Sequence, residues 1–327
     1  MKALQVTAPG HAQFIDVPKP TPQPGEALIK PLVLSLCGSD IYMYKYLEPE
    51  EYPLEAGSSG HEMVGIIEEI NGNYDRAAVG DAALVIAPPQ FAMSEYYITP
   101  FKHIIPVPAG MPPEHAVQAQ QLGTVIYATK ALPNMVGKSA VVIGQGSAGQ
   151  WWNFMLNRLG ASHVIGIDLH AHRLTHSQHF GATHTVHNAA TNPLPQIKTI
   201  LSGKQPDLAV IAASEVEAIN LAIDVVREDG FVFQFGVPHA EKLTIDYNHM
   251  FRKCLTLKSV VFASREPGHR STVNAIEMIS SGVIDVSPLI THRFPFDQVL
   301  DAYALQESRR DGAIKIIVEM GKGLIKQ

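Results

Sequence analysis

Two different patterns of hydrophobic and polar residues divide the chain. From Met1 to about Gly110, short hydrophobic stretches alternate with turns rich in Pro and Gly, which is typical of a small, largely antiparallel β domain. The strands predicted in this part are 27–30, 63–69, 82–87 and 96–98. We interpret the Pro-rich stretch 18–24 as a surface turn.

After Pro113 the pattern changes to helices that alternate with continuous apolar stretches. We predict helices over 114–132, 150–159 and 217–226, and strands over 140–143, 163–167, 208–212 and 231–235. Continuous apolar stretches are typical of strands buried on both faces, so the alternation predicts βαβ units around a parallel sheet. Beyond about Phe262 the pattern is mixed again, with helices near 272–281 and 296–305 before a last strand, 313–319.

These patterns predict an α/β protein with two domains, for which a length of 327 residues is sufficient. We expect a doubly wound parallel sheet of the Rossmann type inserted into a mainly β domain. The parallel domain is predicted to span 122–262, and the β domain to combine 1–121 with 263–327.

Composition limits the classes of function. The net charge of −6 argues against nucleic acid as a partner, because binding phosphates requires a basic face. The apolar stretches are too short to cross a bilayer, and residues 1–6 enter a strand pattern without the apolar core of a signal peptide. Cys37 and Cys254 are the only cysteines, so no disulfide framework indicates secretion. We therefore expect a cytoplasmic protein that binds neither nucleic acid nor a membrane.

The most specific motif is G-x-G-x-x-G in the sequence GQGSAG, directly after a predicted buried strand and directly before a helix. Gly144 allows a tight turn, Gly146 lets a pyrophosphate approach the backbone, and Gly149 allows the helix to pack closely on the strand. Ser147 and Ala148 are the motif residues that lead into the helix, whose free N–H groups favour phosphate, so they are predicted to contact the cofactor as well. The motif predicts dinucleotide binding, with a Rossmann core that binds no dinucleotide as the alternative.

Asp168 supports the same prediction. It ends the next strand, 19 residues beyond Gly149, where a carboxylate binds the ribose hydroxyls of a dinucleotide. The same charge repels a 2′-phosphate, so NAD is favoured over NADP. Arg173 lies close enough in sequence to keep NADP as an alternative.

Two short clusters in the first domain contain ligands that zinc prefers, a thiolate and an imidazole. They are Cys37-Gly38-Ser39-Asp40 and Gly60-His61-Glu62. Each cluster alone is weak evidence for a metal site, because a Cys is often simply buried and a single His is usually a structural group.

Together with the glycine motif, these clusters resemble the zinc-dependent medium-chain dehydrogenase/reductase family of alcohol, polyol and sugar dehydrogenases, whose catalytic domain is GroES-like. The resemblance covers nearly the whole chain. It rests on C-G-S-D at 37–40, G-H-E at 60–62, Gly80-Asp81, the glycine motif, Asp168 and the segment 288–294. It implies an NAD(H)-dependent oxidoreductase that transfers a hydride between cofactor and an alcohol/carbonyl pair, with the alkoxide held by a catalytic zinc.

The resemblance implies that Cys37 and His61 bind this zinc. The family's third ligand is often acidic or Cys, but the matching position here is Gln120, whose amide oxygen is a weaker ligand. Glu62 is implied as an additional or exchanging ligand. We expect one catalytic zinc, with a weak or metal-free site as the alternative. Many relatives bind a structural zinc through four close cysteines; the segment 80–96 contains none, so no structural zinc is expected.

The resemblance also implies a proton relay. Ser39 matches the hydroxyl that takes the alcohol proton, and Tyr42 stands where relatives carry His. A phenol can both donate and accept, but its high ordinary pKa makes it a poorer base, and a role only in lining the pocket is equally supported. Asp40 is expected to orient the site rather than bind metal. The pocket candidates mix aromatic and polar groups, which suits a secondary alcohol such as a polyol, sugar or cyclitol: Tyr42, Tyr44, Phe91 and Gln120.

Two other functions stay open: a zinc-free enone or quinone reductase, and a non-catalytic dinucleotide-binding protein. The pair of Cys37 and His61 weighs against the first, whereas Gln120 and Tyr42 keep the second open. We interpret the seven His residues between 163 and 187 as a solvated surface and Cys254 as a buried strand thiol. The strand 231–235 is predicted to be a sheet edge that pairs between subunits of a homodimer or homotetramer.

Overall fold

The protein was analysed as a computed structural model that describes residues 1–86, 91–260 and 262–321. The end of the predicted strand 82–87 and residues 88–90 of the cysteine-free segment therefore lie outside the described residues. The strands are β1 Lys2–Ala8, β2 His11–Asp16, β3 Glu26–Ser35, β4 Glu62–Asn71, β5 Ala82–Ile86, β6 Tyr97–Pro100, β7 Ile104–Pro106, β8 Ser139–Ile143, β9 His163–Asp168, β10 His184–His187, β11 Leu208–Ile211, β12 Phe231–Gln234, β13 Thr256–Ser259, β14 Ile290–Pro295 and β15 Lys315–Glu319. The α-helices are α1 Gly38–Lys45, α2 Pro113–Ala116, α3 Gln118–Thr129, α4 Ser147–Arg158, α5 Ala171–Leu174, α6 Leu194–Ile200, α7 Val216–Val225, α8 Tyr247–Arg252, α9 Arg270–Ser280 and α10 Val299–Ser308.

The chain divides into two compact units. Unit 1 combines Met1–Gly123 with Ser264–Gln327, and unit 2 is Thr124–Ala263. Unit 2 is thus inserted between the two segments of unit 1. Among the described residues, no helix is both long and apolar enough to span a bilayer.

Unit 2 contains a six-stranded sheet in the order β10-β9-β8-β11-β12-β13, and every strand pair in it is parallel. The continuous apolar stretches of β8 and β11 are buried, as expected for strands covered on both faces. Helices connect successive strands, so the predicted Rossmann-type architecture is confirmed.

Two sequence predictions in unit 2 are wrong. The segment predicted as the sheet edge, 231–235, forms β12, which lies between β11 and β13. The edge strand is β13, whose four residues are all exposed. Because it lacks the apolar pattern of a buried strand, the sequence did not predict it. Cys254 is exposed and has φ +53° in the turn before β13, so it is not a buried strand thiol.

Unit 1 contains a sheet in the order β14-β15-β3-β4-β5-β7, with β6 also paired to β3, and a separate β1-β2 hairpin. All pairs are antiparallel except β14 with β15. The long strand β3 runs through the centre, and the register of its pairing with β4 shifts at Pro31, where a strand proline has no N–H to donate. This mainly antiparallel unit confirms the predicted β domain.

A pair of histidines in unit 1 gives a testable pH dependence. The Nδ1 atom of His103 lies 3.1 Å from Nε2 of the buried His269. Burial, helped by the neighbouring charges of His269 and Lys102, lowers the pKa of His103 from 6.5 to about 4. The unfolded chain takes up a proton near pH 6.5, whereas the folded protein resists protonation until about pH 4. The free energy of unfolding should therefore fall as the pH is lowered through this window.

Urea denaturation of His103→Gln across this pH window tests the expectation. The variant should show a shallower fall in the free energy of unfolding than the wild type, because one group that protonates only in the unfolded state is gone. His11→Gln, at an exposed position on β2, is the control and should follow the wild type. Identical pH profiles for all three proteins would contradict the assignment to His103.

Candidate active site

The pairing of β3 with β4 brings the two ligand clusters together. Leu34, near the end of β3, pairs with Met63, at the start of β4. Cys37 follows β3 within two residues of its end, and His61 directly precedes β4. Because antiparallel partners place one strand's end beside the other's start, both clusters lie at the same end of the sheet. One ligand atom from each of Cys37, His61 and Glu62 lies within 4.8 Å of the others.

A buried carboxylate connects the two clusters. Asp40 is fully buried; its Oδ2 accepts from the N–H of Cys37 at 2.7 Å, and its Oδ1 accepts from the N–H of Gly60 at 2.8 Å. The same Oδ1 lies 3.4 Å from Nδ1 of His61. Metal-binding histidines usually direct their second ring nitrogen at a carboxylate in this way, which leaves Nε2 of His61 for a metal. Asp40 thus lies beside His61 at ion-pair distance, and its orienting role stays a prediction.

Asp40 and His61 stabilise each other's charged forms. Burial opposes ionisation of Asp40, but attraction to His61 and the hydrogen bonds from Cys37 and Gly60 lower the pKa of the carboxyl. Burial likewise opposes a charge on His61, but Asp40 raises the pKa of the imidazole well above 6.5. A metal has to displace that proton, so we expect metal affinity to fall as the pH is lowered.

The loop before β4 is fixed by a residue from a distant helix. Ser59 has φ +72°, a left-handed conformation that is strained for a residue with a side chain. Its Oγ lies 2.6 Å from the hydroxyl of Tyr303, a fully buried residue of α10. This buried hydrogen bond stabilises the strained loop that leads into His61.

Glu62 forms an ion pair in the interior. Its Oε2 lies 2.6 Å from Nζ of Lys315, at the start of β15, and both side chains are fully buried. Among the described residues, neither carboxylate oxygen of Glu62 nor Nζ of Lys315 has a partner that meets hydrogen-bond geometry, so the contact between them is an ion pair only. A buried charge needs a partner and further hydrogen bonds to offset its lost hydration. Glu62 therefore has capacity for another positively charged partner beside Cys37 and His61.

An amide also reaches the thiol, but from the residue next to the one predicted. Nε2 of Gln121, on α3, lies 3.9 Å from Sγ of Cys37, and its buried Oε1 has no hydrogen-bond partner among the described residues. Which end of an amide is oxygen is assigned from its neighbours, so a rotation of the amide would place Oε1 at the thiol. Successive helix residues point about 100° apart. The structure therefore favours Gln121 over Gln120 at this position.

The donor set fits a zinc ion. One thiol, one imidazole and one carboxylate converge, as in protein zinc sites. Oε1 of Glu62 and Oε1 of Gln121 are buried and have no hydrogen-bond partner among the described residues, and a metal would satisfy both. No other group of three or more His, Cys, Asp and Glu side chains in the described ranges has this spacing. The histidines between 163 and 187 thus form no second cluster of that kind there; His163 and His184, for example, stack their rings 5.9 Å apart.

The predicted relay residues lie on α1, which begins directly after Cys37. Ser39 and Tyr42 are three residues apart on this helix, so they lie on neighbouring positions of one face. Both are half-buried. Tyr44 has structural contacts instead: its hydroxyl donates to the carbonyl of Gly10, and its ring packs 4.9 Å from that of Tyr303. Phe91 packs against the core of unit 1.

In unit 2 the glycine motif forms the turn between β8 and α4. Gly144 has φ +93°, and a Cβ at Gly149 would overlap the carbonyl oxygen of Gly144. Gly146 is the N-cap of α4 and offers no side-chain cap, so the first N–H groups of the helix, including those of Ser147 and Ala148, remain available to an anion. The geometry has the features that a pyrophosphate needs.

Asp168 and Arg173 lie beside this turn. Oδ2 of Asp168 accepts from the N–H of Gln145 at 2.6 Å, and its Oδ1 accepts from the N–H of His170 at 2.7 Å. A Cβ on Gly146 would come within 3.6 Å of Nη1 of Arg173. A carboxylate and a guanidinium thus both border the glycine turn within unit 2.

Comparison with known proteins agrees with this geometry. The family model described as "Alcohol dehydrogenase GroES-like domain" matches residues 23–109, and the one described as "Zinc-binding dehydrogenase" matches residues 149–281. The chain belongs to the zinc-dependent medium-chain dehydrogenase/reductase family. As a member of this family it is an oxidoreductase of the dehydrogenase type.

Several dehydrogenases are similar to this chain over nearly the whole length of both proteins. L-threonine 3-dehydrogenase of Pyrococcus horikoshii is 25% identical over 349 residues, which cover 98% of this chain and 99% of the relative. A short chain alcohol dehydrogenase from E. coli CFT073, complexed with NADH, superposes with a TM-score of 0.82 at 22% identity and covers 98% of this chain and 99% of its own. Galactitol-1-phosphate dehydrogenase from Escherichia coli gives 0.82 at 20% identity, with coverage of 98% and 100%. The two solved structures show that the family fold is shared.

Proposed function

We propose that the protein is an NAD(H)-dependent dehydrogenase that interconverts a secondary alcohol and its carbonyl compound at a single zinc site. The observation that carries the proposal is the convergence of Cys37, His61 and Glu62 within 4.8 Å. Unit 1 supplies this site, and unit 2 supplies a glycine turn and Asp168 for the dinucleotide.

Cys37, His61 and Glu62 would hold the zinc, with Gln121 as the amide ligand in place of Gln120. When bound, the zinc supplies the Lewis acidity that lowers the pKa of an alcohol hydroxyl. Asp40 keeps the imidazole of His61 oriented, and Lys315 neutralises Glu62 when its carboxylate does not face the metal. Asp40 and Lys315 are thus positioning residues.

The proton of the alcohol has a path along α1. The hydroxyl of Ser39 would accept it while giving its own proton to the phenol oxygen of Tyr42, on the neighbouring position of the same face, and the phenol would release its own proton to solvent. The half-buried position of both residues keeps the path close to solvent.

NAD is the favoured cofactor because of Asp168. Its buried carboxylate at the end of β9 would repel a 2′-phosphate and accept hydrogen bonds from ribose hydroxyls. Arg173 beside Gly146 would contact the pyrophosphate, and its charge would lessen the discrimination against NADP.

The names of relatives support a secondary alcohol. The hydroxyl at carbon 3 of L-threonine is secondary, and galactitol 1-phosphate carries several secondary hydroxyls. The polar side chains of Ser39, Tyr42 and Gln121 at the site favour a hydroxylated substrate of this kind over a plain alkyl alcohol.

A single activity screen tests the proposal. Zinc-loaded protein with NAD should oxidise at least one member of a panel of polyols, sugars, cyclitols, 2,3-diols and L-threonine, and NADH formation is followed by absorbance. Primary alkyl alcohols and NADP are the comparison arms. Absence of turnover on the whole panel in both directions, with NADH still bound tightly, would instead favour a non-catalytic dinucleotide-binding protein.

Two glycine substitutions should separate folding from cofactor binding. Gly149→Ala places a Cβ on the carbonyl of Gly144 and should destabilise the turn, with an expected loss of about 2–4 kcal/mol in the free energy of unfolding. Gly146→Ala meets nothing closer than Nη1 of Arg173, at 3.6 Å. It should leave the free energy of unfolding within about 1 kcal/mol of wild type and weaken NADH binding, because the methyl group occupies the approach of the pyrophosphate. Urea denaturation and NADH fluorescence titration measure the two effects. Equal NADH affinity in wild type and Gly146→Ala would contradict the predicted binding mode.

The protein should also form homodimers or homotetramers. The edge strand β13 is exposed; Leu257 within it is 45% exposed, and Phe251 on the preceding helix α8 is 70% exposed. An open edge of this kind pairs readily with a second copy. In light scattering, Leu257→Lys should shift the protein towards monomer, whereas Val283→Lys, on unit 1, should not. A monomeric wild type would rule the association out.

A further inference from the structure

One position of the glycine turn carries a side chain that dinucleotide binding does not require. The second residue of G-x-G-x-x-G is Gln145, which is fully buried inside unit 2. A buried amide is costly unless its oxygen and both N–H groups are hydrogen-bonded. Its partners therefore show what the amide does.

The amide of Gln145 connects the turn to two neighbouring segments. Its Oε1 accepts from Nδ2 of Asn153 on α4 at 2.6 Å and from Oγ of Ser177, after α5, at 2.7 Å. Its Nε2 donates to the carbonyl of Val142 on β8 at 2.9 Å. Asn153 and Ser177 are fully buried as well. The side chain thus ties β8, α4 and the segment after β9 into one hydrogen-bonded unit.

The surrounding backbone leaves room for this amide. A Cβ at Gly166, within β9, would come to 2.7 Å from Oε1 of Gln145. Glycine in the interior of a strand often marks such a close approach. The buried position of the Gln145 amide therefore requires a glycine at 166.

A second amide reinforces the connection. Nε2 of Gln150 on α4 donates to the carbonyl of Gln145 at 3.0 Å and to the carbonyl of Arg173 at 3.0 Å. Gln150 is fully buried. The backbone N–H of Gln145 in turn donates to Asp168. The turn, Asp168 and the segment that carries Arg173 are thus held by one buried polar network.

We propose that Gln145 is a positioning residue for dinucleotide binding, whose amide fixes the glycine turn against the segment 168–177 before the ligand arrives. This inference rests on the proposed dinucleotide function of unit 2. The amide of Gln145 has hydrogen-bond partners on both its oxygen and its nitrogen, which fixes its orientation, whereas an apolar side chain would fill the space without doing so. Preorganisation of this kind increases affinity, because the binding energy is not spent on ordering the site.

The first experiment needs no ligand. Gln145→Met keeps the length of the side chain but removes its amide, and Ser177→Ala removes a single hydrogen bond. Amide hydrogen exchange of a peptide that covers 144–149 should be at least about tenfold faster in Gln145→Met, and faster to a smaller extent in Ser177→Ala. Unchanged exchange in both variants would overturn the proposal.

The second experiment measures the consequence for binding. The dissociation constant for NADH should rise at least about tenfold in Gln145→Met, with the KM for NAD raised and kcat nearly unchanged. Ile197→Ala, a buried position of α6 outside the network, is the control for a general loss of stability and should bind NADH as the wild type does. Equal NADH affinity in Gln145→Met and wild type would overturn the inference alone. A wild-type protein that binds neither NADH nor NADPH would overturn the proposed function, and the inference with it.

Discussion

Replacement of Cys37 by Ala should release the zinc and abolish the dehydrogenase activity. The thiolate is the strongest of the proposed donors, and without it the site keeps one imidazole, one carboxylate and an amide. We expect kcat/KM to fall at least about a thousandfold, equivalent to about 4 kcal/mol of transition-state stabilisation. The fold should persist, because the carboxylate of Asp40 accepts from the backbone N–H of Cys37, which alanine retains. Zinc analysis, activity and circular dichroism on one preparation measure all three expectations.

The chain offers a matched control for this experiment. Cys254→Ala removes the other cysteine, an exposed one in the turn before β13. It should retain both zinc and activity. If Cys37→Ala kept wild-type activity without metal, the zinc mechanism would be wrong and a metal-free reductase would be the better description.

Replacement of Lys315 by Met should cause the largest loss of stability that we expect for any side-chain substitution in unit 1. Lys315 and Glu62 are both fully buried and lie 2.6 Å apart. Removal of one member leaves an uncompensated buried charge, which typically costs about 3–5 kcal/mol. Urea denaturation of the metal-free protein should show this loss, and added zinc should recover part of it, because a cation bound to Glu62 again compensates its charge.

A surface ion pair and a double mutant complete the test. Lys30→Met, which removes an exposed pair with Glu68, should change the free energy of unfolding by less than about 1 kcal/mol. In the double variant Glu62→Gln/Lys315→Met no unpaired charge remains, so part of the stability lost in Lys315→Met should return. If Lys315→Met were no less stable than Lys30→Met, the buried pair would contribute nothing to the fold.

The elements that carry the fold could be predicted because their signals are local. The apolar stretch of β8, the glycines directly after it and Asp168 at the end of β9 are each defined by a short segment of sequence. Gly144 and Gly149 are required by the turn itself, through a positive φ and a close approach to backbone. The pairing of Cys37 with His61 depended on the family resemblance, since nothing local shows that β3 and β4 are neighbours.

The parts that sequence reasoning missed are contacts between distant segments. Gln120 and Gln121 differ only in which face of α3 they occupy, and this depends on how the helix packs. Lys315 stands out as a charged residue in an apolar strand, but its partner Glu62 is more than 250 positions away. Gln145 occupies a motif position at which any residue is allowed, so only the packing of Asn153 and Ser177 reveals its role.

X-ray absorption at the zinc edge of the purified, zinc-loaded protein tests the central claim most directly. We predict a tightly bound ion whose first shell contains one sulfur at about 2.3 Å and nitrogen or oxygen ligands at about 2.0–2.2 Å, with the sulfur contribution absent in Cys37→Ala. A shell without sulfur in the wild type, or a spectrum unchanged by the substitution, would contradict the site.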